Sequence, residues 1–138
     1  MKRLLILTLT IYFLALTVFS QSTTITVIET VKIKDNKRAE ALFYYENNWK
    51  LLREKALEKG SIHSYELIEA TADEKADFDI VLVTRYAHQA QFDKSEENFQ
   101  KLIKELITDK GGLKLKNKLK PADFRQNMFV KIGKSINL

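Results

Sequence analysis

The sequence predicts an α+β fold, an antiparallel four-stranded sheet with two helices on one of its faces. Three observations carry that expectation. Four segments read as strands, by apolar alternation or by a short continuous apolar run, and two show the three-to-four-residue period of helices. Their order along the chain is β-α-β-β-α-β.

The first strand is Thr24 to Lys34. Ile25, Val27, Val31 and Ile33 share one face, and Thr24, Thr26, Thr30 and Lys32 share the other. Glu29 interrupts the apolar face. Asp35-Asn36 supplies a turn and a helix cap. Lys37 to Lys59 then reads as a long helix with a stripe of Leu42, Tyr45, Trp49, Leu52 and Ala56, widened by Phe43 and Leu51. Gly60 stops it after a cationic last turn.

The second strand falls within Ser61 to Thr71 and the third within Phe78 to Ala87. Between them lies a charged turn, a spacing that suits a hairpin. The centre of the third, Ile80 to Val83, has no polar residue and reads as a central strand. Gln89 to Lys94 is a short helical lead-in. The second helix runs from about Ser95 to Thr108, capped by Asp93 or Ser95, with Phe99, Leu102, Ile103 and Leu106 as its buried stripe. Gly111-Gly112 ends it. Leu113 to Pro121 alternates leucine with lysine. Gln126 to Gly133 is the last strand, with Met128, Val130 and Ile132 on one face. This order is the ferredoxin-like split βαβ arrangement.

The 138 residues suit one domain, and the chain holds no cysteine. That excludes disulfide staples, a cysteine nucleophile, a thiolate metal site and a lipid anchor on an N-terminal cysteine. Residues 1–20 read as a cleavable signal peptide. Lys2 and Arg3 form the positive start, Leu4 to Val18 is apolar apart from three threonines, and Val18-Phe19-Ser20 fits cleavage before Gln21. The apolar run is about 15 residues, short of the roughly 20 that span a bilayer. The expectation is an exported protein, periplasmic or secreted, with residues 21–138 as its single domain and no stable membrane insertion after cleavage. Loss of Lys2 and Arg3 lowers the net charge from +5 to +3. That mild excess is no nucleic-acid signature.

The layout resembles the dimeric α+β barrel superfamily, which includes antibiotic-biosynthesis-monooxygenase-like domains. The resemblance covers about residues 24 to 133. It rests on the element order, the first helix with Trp49, and the SYELIEA strand paired with DIVLVTRYA. It implies a homodimer whose two sheets close into a barrel, and a ligand pocket between each sheet and its helices. The superfamily's haem-degrading members use an Asn, Trp and His set. This chain has no Asn in its first strand and no Trp in its third, so that activity is not carried over. No cofactor is expected.

The candidate site residues come from the chain itself. Tyr44, Tyr45, Asn48 and Trp49 cluster on the first helix, either as an amphipathic pocket wall or as packing against the sheet. Glu29 and Arg85 each stand in an otherwise apolar run. If the first and third strands are adjacent, the two residues pair at a pocket floor; if strand ends expose them, they do not. His88, at a strand end, is a candidate general base or simply a surface residue, and His63 is a weaker one. No spacing suggests a metal site, a nucleophile elbow, a P-loop or a dinucleotide motif. Five lysines between Lys110 and Lys120 either touch an anionic surface or are a solvated connection.

No set stands out as catalytic. The expected function is binding of a small, partly apolar molecule between helices and sheet. The alternatives are a cofactor-independent monooxygenase or isomerase using His88, Tyr86 or Arg85 on a small aromatic substrate, and a structural protein of the cell envelope.

Overall fold

A computed structural model describes residues 23–136. The expected leader at 1–20 lies outside them. The elements are β1 (Ile25–Ile33), a long helix α1, β2 (Ser64–Glu69), β3 (Ile80–Tyr86), α2 (Gln89–Asp93), α3 (Ser95–Lys110), α4 (Pro121–Phe124) and β4 (Arg125–Lys134). The helix α1 begins as Arg38–Tyr44, passes through a π-helical stretch, Tyr45–Lys50, and continues as Leu51–Glu58.

The strands form one antiparallel sheet in the order β2-β3-β1-β4. Both central strands are the β-branched segments that sequence periodicity picked out. Register places Val31 opposite Ile80, Glu29 opposite Leu82 and Ile25 opposite Tyr86. These residues share the face that the helices cover. Two core clusters fill that interface. One joins Val31, Ile80 and Leu82 to Tyr45 and Trp49 of α1. The other joins Ile25 and Tyr86 to Ala56, Ile62 and Leu102. Each large side chain buried there contributes about 1.5–3 kcal/mol.

The other face of the sheet carries Ile28, Val81, Val83 and Arg85, with Ile68 from β2 and Phe129 from β4. No helix covers it. Ile68 and Phe129 are nearly half exposed, and Phe129 meets Phe78 edge-to-face at 6.2 Å.

Three local expectations are corrected. Asp35 and Asn36 form the turn but do not cap α1. Both adopt left-handed backbone (φ 51° and 56°), and the N-cap is Lys37, with no side-chain hydrogen bond. Asn and Asp tolerate that conformation better than most residues, which explains why they stand there. Neither Asp93 nor Ser95 caps α3, whose N-cap is Lys94. The Asp93 carboxylate instead accepts from the Gln89 amide at 2.7 Å. In β4, the regular two-residue period through Met128, Val130 and Ile132 is broken. A bulge opposite Thr30 and Val31 leaves Met128 without a ladder partner, so Asn127 and Val130, three apart, lie on the same side.

Candidate functional site

The helices α1 and α3 diverge enough to leave a cleft between them, closed at one end by the loop after α3. It encloses about 380 Å³, within the range of small-molecule sites. Leu51 and Leu52 of α1 form one wall. Ile103, Leu106 and Ile107 of α3 form the other, and Gly112 to Lys114 form the end. Gly111 makes this loop possible, because it ends α3 in left-handed backbone (φ 73°) that a side chain would strain.

The π-helical stretch shapes this wall. A π turn widens the helix and is often found beside functional sites. The side-chain amides of Asn47 and Asn48 donate to the carbonyls of Phe43 and Tyr44, at 2.9 and 3.0 Å. Asn48 also holds the loop. Its amide donates to the Lys114 carbonyl at 2.8 Å, and its oxygen accepts the Lys114 N–H at 2.8 Å. One side-chain amide thereby pairs with a peptide unit as a neighbouring strand would.

Beneath α1, on the sheet side, lies a second polar feature. Arg53 is largely buried, with its guanidinium 4.8 Å from the Trp49 ring centre and 4.4 Å from that of Phe99. Its Nε donates to Thr84 Oγ1 at 3.2 Å, and a terminal nitrogen stands 3.8 Å from Glu29. Burial pulls the Arg53 pKa down, and the Glu29 charge partly restores it. Near the other end of the first core cluster, Arg125 lies 4.9 Å from the Tyr44 ring and 3.4 Å from the Tyr45 hydroxyl. Burial pushes Tyr45 up to about 12 from 10, although Arg125 pulls the other way. The indole N–H of Trp49, the hydroxyl of Thr30 and the Nε of Arg125 are buried without a partner among the described residues.

The residues named from sequence separate into three places. Tyr44 and Asn48 line the cleft, and Trp49 borders it while buried against the sheet. Tyr45 is buried in the core beneath it. Glu29 faces the helices, but Arg85 does not, because Arg85 stands opposite Thr26 and Glu29 opposite Leu82. Adjacent strands therefore put the two on opposite faces, and the expected pair does not form. Each has another partner, Arg53 for Glu29 and Glu66 (2.9 Å) for Arg85.

His88 is occupied at the start of α2, where its Nδ1 accepts the Gln91 N–H at 3.2 Å. The trio of the enzymatic alternative does not converge. Tyr86 packs in the second core cluster under the helices, Arg85 lies on the uncovered face and His88 caps a helix. Among the described residues, no group of three His, Asp or Glu is placed to hold a metal ion.

Arg53 and Arg125 were missed by sequence reasoning. Arg53 had a signal, since it lies four residues after Trp49 and so on the same side of the helix. Arg125 had none, because only the bulge in β4 sets its side.

No protein-family model matches this chain, and no curated protein matches it in sequence. Solved structures do share its fold. HapK from Hahella chejuensis aligns with a TM-score of 0.51 at 15% identity, over 83% of this chain and 94% of that one. An ethyl tert-butyl ether D family protein from Bacillus halodurans aligns at 0.50 and 11%, over 83% and 99%. A DABB family protein from Mesorhizobium loti, described as ferredoxin-like, aligns at 0.51 and 12%, over 85% and 99%. The chain thus has the ferredoxin-like α+β fold of these proteins, the fold expected from its resemblance to the dimeric α+β barrel superfamily.

Proposed function

We propose that this chain is an exported, homodimeric α+β domain that binds a small, mainly apolar ligand in the cleft between α1 and α3. The observation that carries the reading is the cleft itself, a bounded space of about 380 Å³ walled by leucine and isoleucine. A folded domain normally closes such a space, because bare apolar walls forfeit contacts on one side. This site differs from the one expected between helices and sheet. Tyr45, Trp49 and Arg53 with its partners fill that interface.

The homodimer is supported by the uncovered face of the sheet. Ile28, Ile68, Val81 and Phe129 lie there, and pairing two such faces removes them from water. Export is supported by the leader-like residues 1–20, and among the described residues no helix is long and apolar enough to cross a membrane.

Native mass spectrometry tests all three parts, using protein collected from the exported fraction of cells that express the full chain. The expected species is a dimer of chains beginning at Gln21, carrying a bound small molecule that is lost on denaturation. A monomer without ligand overturns the dimer and the binding reading together. Retention of Met1 to Ser20 overturns the export reading.

A further inference from the structure

The cleft is apolar almost throughout, yet the end formed by the loop after α3 has a distinct charge. Of its polar lining groups, the two asparagine amides are satisfied within the chain, and the indole N–H of Trp49, which has no partner among the described residues, is buried away from the surface. The Asn47 amide is bonded to Phe43, and the Asn48 amide is bonded to Tyr44 and Lys114. A ligand with a polar group finds little to pair with inside, so that group belongs at the end of the cleft. That end is the loop leading into residues 113–120, LKLKNKLK, which contains four lysines and no acid. Among the described residues, none of Lys114, Lys116, Lys118 and Lys120 has a carboxylate within ion-pair distance; Lys34, Lys75, Lys94, Lys104, Lys131 and Lys134 are unpaired too, but four such lysines within eight positions occur only here, and Lys114 lines the cleft itself. Apolar side chains extend toward the same end. Ile107 is 54% exposed and Leu113 is 60% exposed.

We propose that the cleft takes a free anionic amphiphile, its aliphatic tail along Leu52, Ile103, Ile107 and Leu113 and its charged head at the lysines of residues 113–120. The proposal rests on the reading of the cleft as a ligand site and adds the ligand's chemistry. An apolar tail meets an apolar trough, and a head of negative charge meets a cluster of unpaired positive charge. The cleft is bounded on three sides by α1, α3 and the loop. That shape suits one chain held singly, where a bilayer needs an open surface.

The test is calorimetric titration of the protein with dodecanoate and with 1-dodecanol, both below the concentrations at which they aggregate. Dodecanoate is expected to bind about fivefold more tightly at low ionic strength, a preference that shrinks as salt is added. The double substitution Lys114→Ala and Lys116→Ala is expected to remove most of that preference while weakening dodecanol binding far less than dodecanoate binding. The Asn48 contacts are to the Lys114 backbone, so they survive it. Ile107→Glu is expected to abolish binding of both; Ile107 is exposed on α3, and circular dichroism confirms that the variant is folded.

Equal affinity for the two probes overturns the charged-head proposal and leaves the ligand site standing. Binding of neither overturns both. Binding only to vesicles containing phosphatidylglycerol overturns the proposal in favour of a membrane surface. A dimer dissociated by Ile107→Glu, with no probe bound to the parent protein, assigns the cleft to a second copy of the chain and also overturns it.

Discussion

The two sides of α1 are both apolar and end in opposite states. Toward the sheet, Tyr45, Trp49 and Ala56 are buried against Val31, Ile80, Leu82 and Tyr86. Toward α3, Leu51 and Leu52 face Ile103 and Ile107 across a gap. The helix therefore carries a wider apolar surface than the sheet needs. Where large aromatics meet a flat sheet they fill the space, and where two helices meet over small contacts they do not. Stability and binding capacity thus occupy different sides of one helix, and substitutions on each side separate them.

The largest effect is expected on the packed side. Trp49→Ala removes a ring that packs against Tyr65 at 5.8 Å and under Arg53. It is expected to cost about 3–5 kcal/mol in urea unfolding. Arg53→Met keeps the apolar stem but leaves Glu29, only 28% exposed, without its cation. A loss of about 2–3 kcal/mol is expected, below that for a fully buried pair. The added change Glu29→Gln restores part of it, which a double-mutant cycle would show.

The same side gives an alkaline signature. The Tyr45 hydroxyl ionises at about 12 in the folded protein and near 10 when exposed. The folded state holds the proton more tightly, so this contribution is present in full below pH 10 and is lost as the pH rises toward 12. About 2 kcal/mol should disappear over that window. Chemical denaturation at pH 9 and pH 12, compared between the parent and Tyr45→Phe, measures it.

Smaller effects belong to the cleft. Asn48→Ala releases the Lys114 peptide and is expected to cost about 1 kcal/mol. Faster amide hydrogen exchange at Lys114 would report the freed loop. Leu113→Ser is expected to change stability by less than about 0.5 kcal/mol, because the side chain is mostly exposed, while weakening ligand binding severalfold. If it destabilised the protein as much as Trp49→Ala, the contrast between the two sides would collapse.

What sequence alone revealed follows the same division. Periodicity identified the element order and placed Tyr45, Trp49 and Ala56 on a packing stripe, because helix and strand periods are local. Gly60 and Gly111 marked helix ends through their backbone freedom, and both adopt positive φ. Pairing across the sheet was not legible. The phases of Glu29 and Arg85 were each readable, but their relative face depends on a register set by the whole β1–β3 ladder. A one-residue difference in that register exchanges the two faces. The bulge at Met128 altered β4 in the same way. The cleft was the hardest to foresee, since it is an absence of contact between α1 and α3, and the π-helical stretch beside it changes the spacing that periodicity assumes.

The ladder between β1 and β4 has a consequence for how the molecule comes into being. Ile25 pairs with Lys134, a separation of 109 positions, and the Ser135 N–H donates to the Thr24 carbonyl at 3.0 Å. One edge of β1 pairs with β3, but the other waits for the last strand. Until it arrives, β1 has an open edge and the sheet lacks a quarter of its strands. Closing so long a loop is slow compared with forming a local hairpin such as β2–β3. A chain that has not finished emerging therefore carries a sheet that is one strand short. Removal of residues 125–138 should trap it there.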